Sequence, residues 1–381
     1  MEAKRMRSIV IKFALILVML IAISYFGSIE VTKEPFPERS AEMPVVAVMF
    51  NGSKEDGGWN EAQYRGFESI QEDLKIRMIY REYVNDRNDD AVDVVDHLVN
   101  QEKAQIIFAT SYDYGPAIQK AAKLHPDVKF FHLAGAATGP NLDTYFGRMY
   151  QARYLTGIVA GKQTQTNQIG FVAAFPIPEV IRGINAFTLG VRSVNPQAVV
   201  HVKWSGTWND SSLETAAANA LLDAYPIDVL TQHQNTTFPL QAAQQRGVKV
   251  IGYNMDHQAD FPDVFLTAPV WQWGPFYRER LQECFEGRFK EMAYFEGYQK
   301  YVFGIAPLSP IVDETTKQLV EQAERRILSG RWDVFYGPVY DQQGRLRIQQ
   351  GENISDQELI ESFDWFVEGV EGSVGSAASM K

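Results

Sequence analysis

At 381 residues the chain exceeds the length at which one hydrophobic core stops growing, about 250–300 residues, so two domains are expected. A composition 45% hydrophobic and 22% charged excludes a disordered chain. The formal net charge of -11 weighs against a general nucleic-acid binder, which needs a basic face, and the single cysteine, Cys284, excludes an internal disulfide framework or a cysteine-based zinc knuckle.

The N-terminus speaks to compartment. Lys4, Arg5 and Arg7 precede an apolar run from Phe13 to Ile23, the order of a secretory signal. That run is short of the ~20 residues of a spanning helix. Starting at Ile9 and accepting Lys12 lengthens it enough to leave an uncleaved anchor open. Residues 1–27 are therefore expected to be a signal peptide or N-terminal membrane anchor, and 28–43 a polar tether.

From Val45 onward short apolar runs alternate with helical patterns. VVAVMF (45–50), RMIYREY (77–83), QIIFAT (105–110) and VKFFHLA (128–134) read as strands. Helices are expected behind the first of these, around 90–103, and over 115–125. A second series follows, with strands at 168–175, 198–204, 227–233 and 248–253 and helices at 177–194, 211–224 and 236–246. Cys284 falls in a further helical stretch as a small buried hydrophobe. Strands alternating with helices imply right-handed crossovers and parallel sheets. The fold class is thus α/β, two doubly wound parallel-sheet lobes joined by a multi-segment hinge. Lobe 1 is expected over 44–165 with 265–292, lobe 2 over 166–264 with 293–370, and 371–381 as a flexible tail. Chain crossings are expected near 163–168, 253–265 and 293–305.

Ligands of open parallel sheets sit beyond the carboxyl ends of the strands. The relevant loops are 51–60, 110–114, 175–179, 204–210, 233–237 and 254–260. The first is glycine-rich but fits neither phosphate-binding fingerprint. In it Trp59 offers a flat face, while Asp56 and Asn60 either cap the following helix or bond a ligand. Ser111 and Tyr112 follow a strand, as do Phe175 and, in WSGTWND, Trp208. Tryptophans and tyrosines so placed either stack on a planar ligand or close over the core. His233 and Asn235 stand in HQNTT, and Asn254 and Asp256 in GYNMDH. No second histidine stands three or four residues from His233, so no metal is expected. Asp56 with Asp256 would make an acid/base pair in an enzyme or hydrogen-bond acceptors in a binder. No GxSxG elbow occurs, and binding is preferred.

The residues that carry a resemblance are DGGWN (56–60), ATSYDYGPAIQKAAKLHPDVKFFH (109–132) and, most distinctive, FPIPEVIRGINAFTLGVRSVNP (175–196). WSGTWNDSSLETAAANALLD (204–223), QHQNTT (232–237), VIGYNMDHQADFP (250–262) and LTAPVWQWGPFY (266–277) continue it. With these segments the chain resembles the basic membrane protein family of ABC transporter substrate-binding proteins, the purine-nucleoside-receptor-like members of the type I periplasmic binding fold. The resemblance implies an extracytoplasmic receptor that delivers a purine nucleoside or nucleobase to an ABC permease, without cofactor and without chemistry. It makes Asp56 and Asn60 the polar pair of the first loop, Trp59 its aromatic, and Asp256 the acid that holds ribose. Three departures stand out. No lipobox cysteine is present, Asn235 stands where many relatives carry Asp, and Trp271 falls near where nucleoside-binding members place a Lys that touches the sugar. A membrane-tethered sensor of the same fold and a nucleoside hydrolase or phosphorylase are the alternatives. The expected partners are a small flat heterocycle and the permease, with no nucleic acid and with the membrane met only through the N-terminal segment.

Overall fold

The run VVAVM is apolar throughout because both of its faces are covered. In strand β1 (Val45–Met49), Val46 and Val48 face one core while Ala47 and Met49 face another. A computed structural model describes residues 43–86, 89–135 and 137–375, which belong to one compact unit. The expected signal or anchor, and all of the tether but Met43, lie outside the described residues.

The first sheet contains β1, β2 (Arg77–Arg81), β3 (Ile106–Ala109), β4 (Lys129–Leu133) and β5 (Leu142–Gly147). Its order is β12-β5-β4-β3-β1-β2, where β12 (Ala293–Glu296) returns from late in the chain, and every pairing is parallel. Helices α1 (Trp59–Leu74), α2 (Asp90–Asn100) and α3 (Gly115–Leu124) cover it. Next come α4 (Tyr150–Gln163), β6 (Gln168–Ala173), α5 (Pro178–Val194), β7 (Val199–Trp204) and α6 (Ser211–Ala224). They are followed by β8 (Val229–His233), α7 (Phe238–Gln244), β9 (Lys249–Ile251) and β10 (Phe265–Thr267). The second sheet, also parallel, runs β10-β9-β8-β6-β7 and is completed by residues Val370–Glu371 beside β7. The two doubly wound lobes read from the alternation of strands and helices are therefore present.

The helix α4 and strand β5 were not expected. LDTYFG carries Asp143 and Thr144, and Asp143 is tolerated in the sheet because it pairs with Arg280 at 2.5 Å and accepts the Met292 N–H at 2.8 Å. Helix α4 is buried nearly all round, so it shows no apolar stripe. It lies against α5 at backbone contact. A Cβ on Gly157 would stand 2.1 Å from the Phe187 carbonyl oxygen, and one on Gly190 2.0 Å from that of Tyr154.

This packing moves the first crossing from the expected 163–168 to the turn before Tyr150, because α4 already docks on the second lobe. The second crossing moves from 253–265 to β11 (Pro269–Trp271), since β10 is hydrogen-bonded into the second sheet. Helix α8 (Gly274–Phe285) then packs on α1, with Gly66 pressed on Trp273 and Tyr277. Strand β12 belongs to the first lobe, not the second as expected, so the third crossing is β13 (Phe303–Ile305), paired antiparallel with β11. Helix α9 (Glu314–Leu328) and a hairpin, β14 (Val339–Tyr340) with β15 (Leu346–Ile348), precede β16 (Val370–Glu371). The expected tail is thus partly docked: Glu371 is in β16 and Ser373 accepts from Trp204 Nε1 at 2.8 Å.

Because neither helix of the α4–α5 pair can retreat, Gly190→Ala is expected to destabilise the protein by about 1–3 kcal/mol or more, read as a lower denaturation midpoint in urea.

Candidate functional site in the cleft between the sheets

In the first sheet the strand order reverses between β1 and β3, and in the second between β6 and β8, so the loops after these four strands face one another. They border a narrow cavity that is open to solvent at its mouth. From the first lobe it is lined by Asn51, Trp59, Ser111, Tyr112 and Ala134, and from the second by Glu179, Trp208, His233, Asn235 and Tyr253.

Trp59 opens α1, and its Nε1 donates to the Thr110 carbonyl at 2.7 Å, which fixes the indole in place. Trp271 and Phe146 pack behind it with centroids at 6.1 and 6.3 Å. Tyr112 is half exposed at the cavity mouth. Opposite, Trp208 rests on Phe175 at 5.3 Å between centroids. Ser111 Oγ donates to Asp86 Oδ2 at 2.6 Å, and Asn51 Nδ2 donates to the same oxygen at 3.0 Å. Asn60 Nδ2 donates to Asn51 Oδ1 at 3.3 Å, so Asn60 orients a cavity residue from outside it.

Several expected ligand contacts have other partners. The Asp56 carboxylate accepts the backbone N–H groups of Gly58, Asn60 and Glu61, capping α1. Burial raises its pKa to about 6 against the lowering effect of those donors. Asn254, at φ 71°, donates to the Gln234 carbonyl at 3.1 Å and accepts from Trp271 Nε1 at 3.2 Å. Trp271 stacks on Trp273 at 4.5 Å, in the crossing strand β11. Phe175 supports Trp208 and does not line the cavity. Asp256 is exposed and accepts the Gln258 N–H at 2.9 Å, closing its own turn. Its side chain is not among those lining the cleft.

Glu179, Tyr253 and Asn51 line the cavity without having been singled out. Glu179 follows Pro178 in the first turn of α5, where the helix dipole favours a carboxylate. Proline and then glutamate after a strand was the available signal for it. His233 Nε2 stands 3.4 Å from Glu179 Oε1, and burial lowers the imidazole pKa to about 4, so it is neutral at pH 7. The acceptor-only carboxylate requires the proton on Nε2. Arg153 lies under the site, 3.7 Å above the Tyr253 ring, with Nη1 donating to the Gln232 carbonyl at 2.8 Å. Burial lowers its pKa to about 10, which still leaves it charged. Among the described residues no group of His, Cys, Asp and Glu forms a metal site, and no helix is long and apolar enough to cross a membrane.

The family model described as "ABC transporter substrate-binding protein PnrA-like" matches residues 43–331. The chain belongs to this Bmp family. A purine-binding protein of Brucella abortus is 34% identical over 328 residues, 86% of this chain and 92% of that protein. A putative ABC transporter glucose-binding protein of Haloferax volcanii is 38% identical over 276 residues, 72% of this chain and 68% of that protein. The crystal structure of a transcriptional activator of the comK gene from Bacillus halodurans superposes with TM-score 0.66 at 21% identity, covering 76% of this chain and 99% of that one, a likeness of fold. As a Bmp member the chain is an ABC transporter substrate-binding protein, of a family of extracytoplasmic solute-binding proteins whose partners are a small molecule and a permease.

The lobes touch across the mouth of the cleft, where the Trp59 backbone N–H donates to the Asn235 carbonyl at 3.3 Å. A Cβ on Gly58 would stand 1.9 Å from that oxygen. Gly58→Ala is therefore expected to hold the lobes apart, read as a larger radius of gyration by small-angle scattering with an unchanged circular dichroism spectrum.

Glu214, fully buried in α6, accepts from Thr236 Oγ1 at 2.7 Å and anchors the loop after β8. Burial raises its pKa from 4.5 to about 8. The folded state then keeps a proton that the unfolded chain releases, so this contribution is full below pH 4.5 and is lost as pH rises through about 8. Relative to the native protein, Glu214→Gln should gain stability across that window by up to about 1.4 kcal/mol per pH unit, measured by denaturation at several pH values.

Proposed function

We infer that the cleft binds a purine, as base or nucleoside, and releases it unaltered to the permease. The observation that carries this reading is the arrangement of rings: Trp59 and Tyr112 come from one lobe and Trp208 from the other, around a slot whose edge is polar. A planar heterocycle held between aromatic faces gains ~1–3 kcal/mol per stacked ring, by analogy with bases on aromatic side chains. Its edge meets Asn51, Ser111, Asn235 and Glu179. These offer an amide that both donates and accepts, a hydroxyl, and a carboxylate for ring or exocyclic N–H groups. The purine-binding relative from Brucella supports the same ligand class. Closure is driven by the ligand's preference for the state in which both sets of rings are engaged.

A hexose is the second reading, favoured by the Haloferax relative, and calorimetry with adenine, adenosine and glucose separates the two. Adenine or adenosine should bind with one-to-one stoichiometry, and chromatography should return it unchanged after incubation. Glucose binding without purine binding overturns the proposal. Trp208→Ala and Glu179→Ala are each expected to weaken purine binding at least tenfold, about 1.4 kcal/mol. Asp256→Ala, outside the cavity, should leave it within about twofold.

A further inference from the structure

The cleft does not end at the first cavity. Past Tyr112, Ala134 and Glu179, which line both, it continues into a second, roomier space that is also open to solvent. One wall of that space is Phe146 at the end of β5 with Tyr294 and Phe295 of β12, and another includes Ile177 before α5. A further wall comes from the tail, where the π-helical turn Glu358–Ser362 presents Ile360.

The tail lies beyond residue 331, where the family match ends, yet it is built into the lobe. Arg182 Nη1 donates to the Leu359 carbonyl at 2.9 Å. Asn185 donates to the Trp365 carbonyl at 2.8 Å and accepts the Val367 N–H at 3.0 Å, all in buried positions. Among the described residues, Arg182 is the one cation in the walls. Its guanidinium lies 5.4 Å from the centroids of both Phe146 and Phe295, so it serves mainly to hold the rings and the tail together. Glu179, Glu361 and Thr144 also line the second space, but the larger part of its surface is ring and aliphatic carbon. A sugar there would find partners only at those few polar groups, and each hydroxyl left without one costs free energy, whereas an apolar ring gains contact with the aromatic walls.

We propose that the cleft takes a purine bearing an apolar or aromatic substituent, with the purine in the first cavity and the substituent running past Glu179 into the second. This rests on the purine reading above and adds the class of ligand. The test is isothermal calorimetry on the full chain with adenine, adenosine and N6-benzyladenine. N6-benzyladenine should bind about tenfold or more tightly than adenine. Ile360→Trp, which fills the second space alone, should abolish that gain and leave adenine within about twofold. Tyr294→Ala, which removes a ring from another wall, should reduce the gain and serves if the tryptophan variant fails to melt cooperatively. Adenine binding with no gain from the benzyl group overturns this inference and spares the purine reading, as does a gain shown by adenosine and not by N6-benzyladenine. Failure of all three to bind removes both.

Discussion

Everything about the site depends on a backbone-to-backbone approach across the cleft, where the start of α1 meets the carbonyl of Asn235. At Gly58 no side chain fits between them. That contact needs the α1 terminus held rigidly, and the Asp56 carboxylate does so by gathering three N–H groups that the helix leaves unpaired. It also needs the opposing loop held, which Glu214 does through Thr236 and Asn254 through Gln234. The polar residues of these loops are largely spent on fixing backbone, and the rings and a few side-chain edges are left for a ligand.

A second constraint is the placing of charge beneath the cavity. Glu179, His233 and Arg153 sit together where water is scarce, with Tyr253 under the guanidinium. Burial keeps His233 neutral, so Glu179 faces an N–H donor and a delocalised cation set back from the cavity, and its other oxygen remains to be matched. A carboxylate so arranged can accept from a ligand without first being freed from a close ion pair.

The crossing segments share one feature: α4, β11 and β13 all pack on the second lobe or on each other before the chain returns. The interhelical contact of α4 with α5 needs glycine on both sides, which ties the first crossing to a rigid spine. Relative motion of the lobes is thereby restricted to the short turns on either side of these elements.

The alternation of apolar runs and helices determined the class of fold, because a strand covered on both faces must be continuously apolar and a crossover helix must show one apolar stripe. Trp59, Ser111, Tyr112, Trp208, His233 and Asn235 were legible as cleft residues because position after a parallel strand by itself predicts the mouth of the sheet. The sequence could not place Asp56, Asn254, Asp256 and Trp271, since a polar or aromatic residue at a strand end serves a turn, a helix terminus or a ligand with equal chemical fitness. Only tertiary structure decides which backbone groups stand within reach. Likewise α4 and β5 went unseen because burial on every side erases periodicity, and the residues of β12 were expected in the second lobe, whereas they join the first. Which sheet edge a late strand joins is fixed by packing between segments some 150 residues apart, and local pattern carries no record of it.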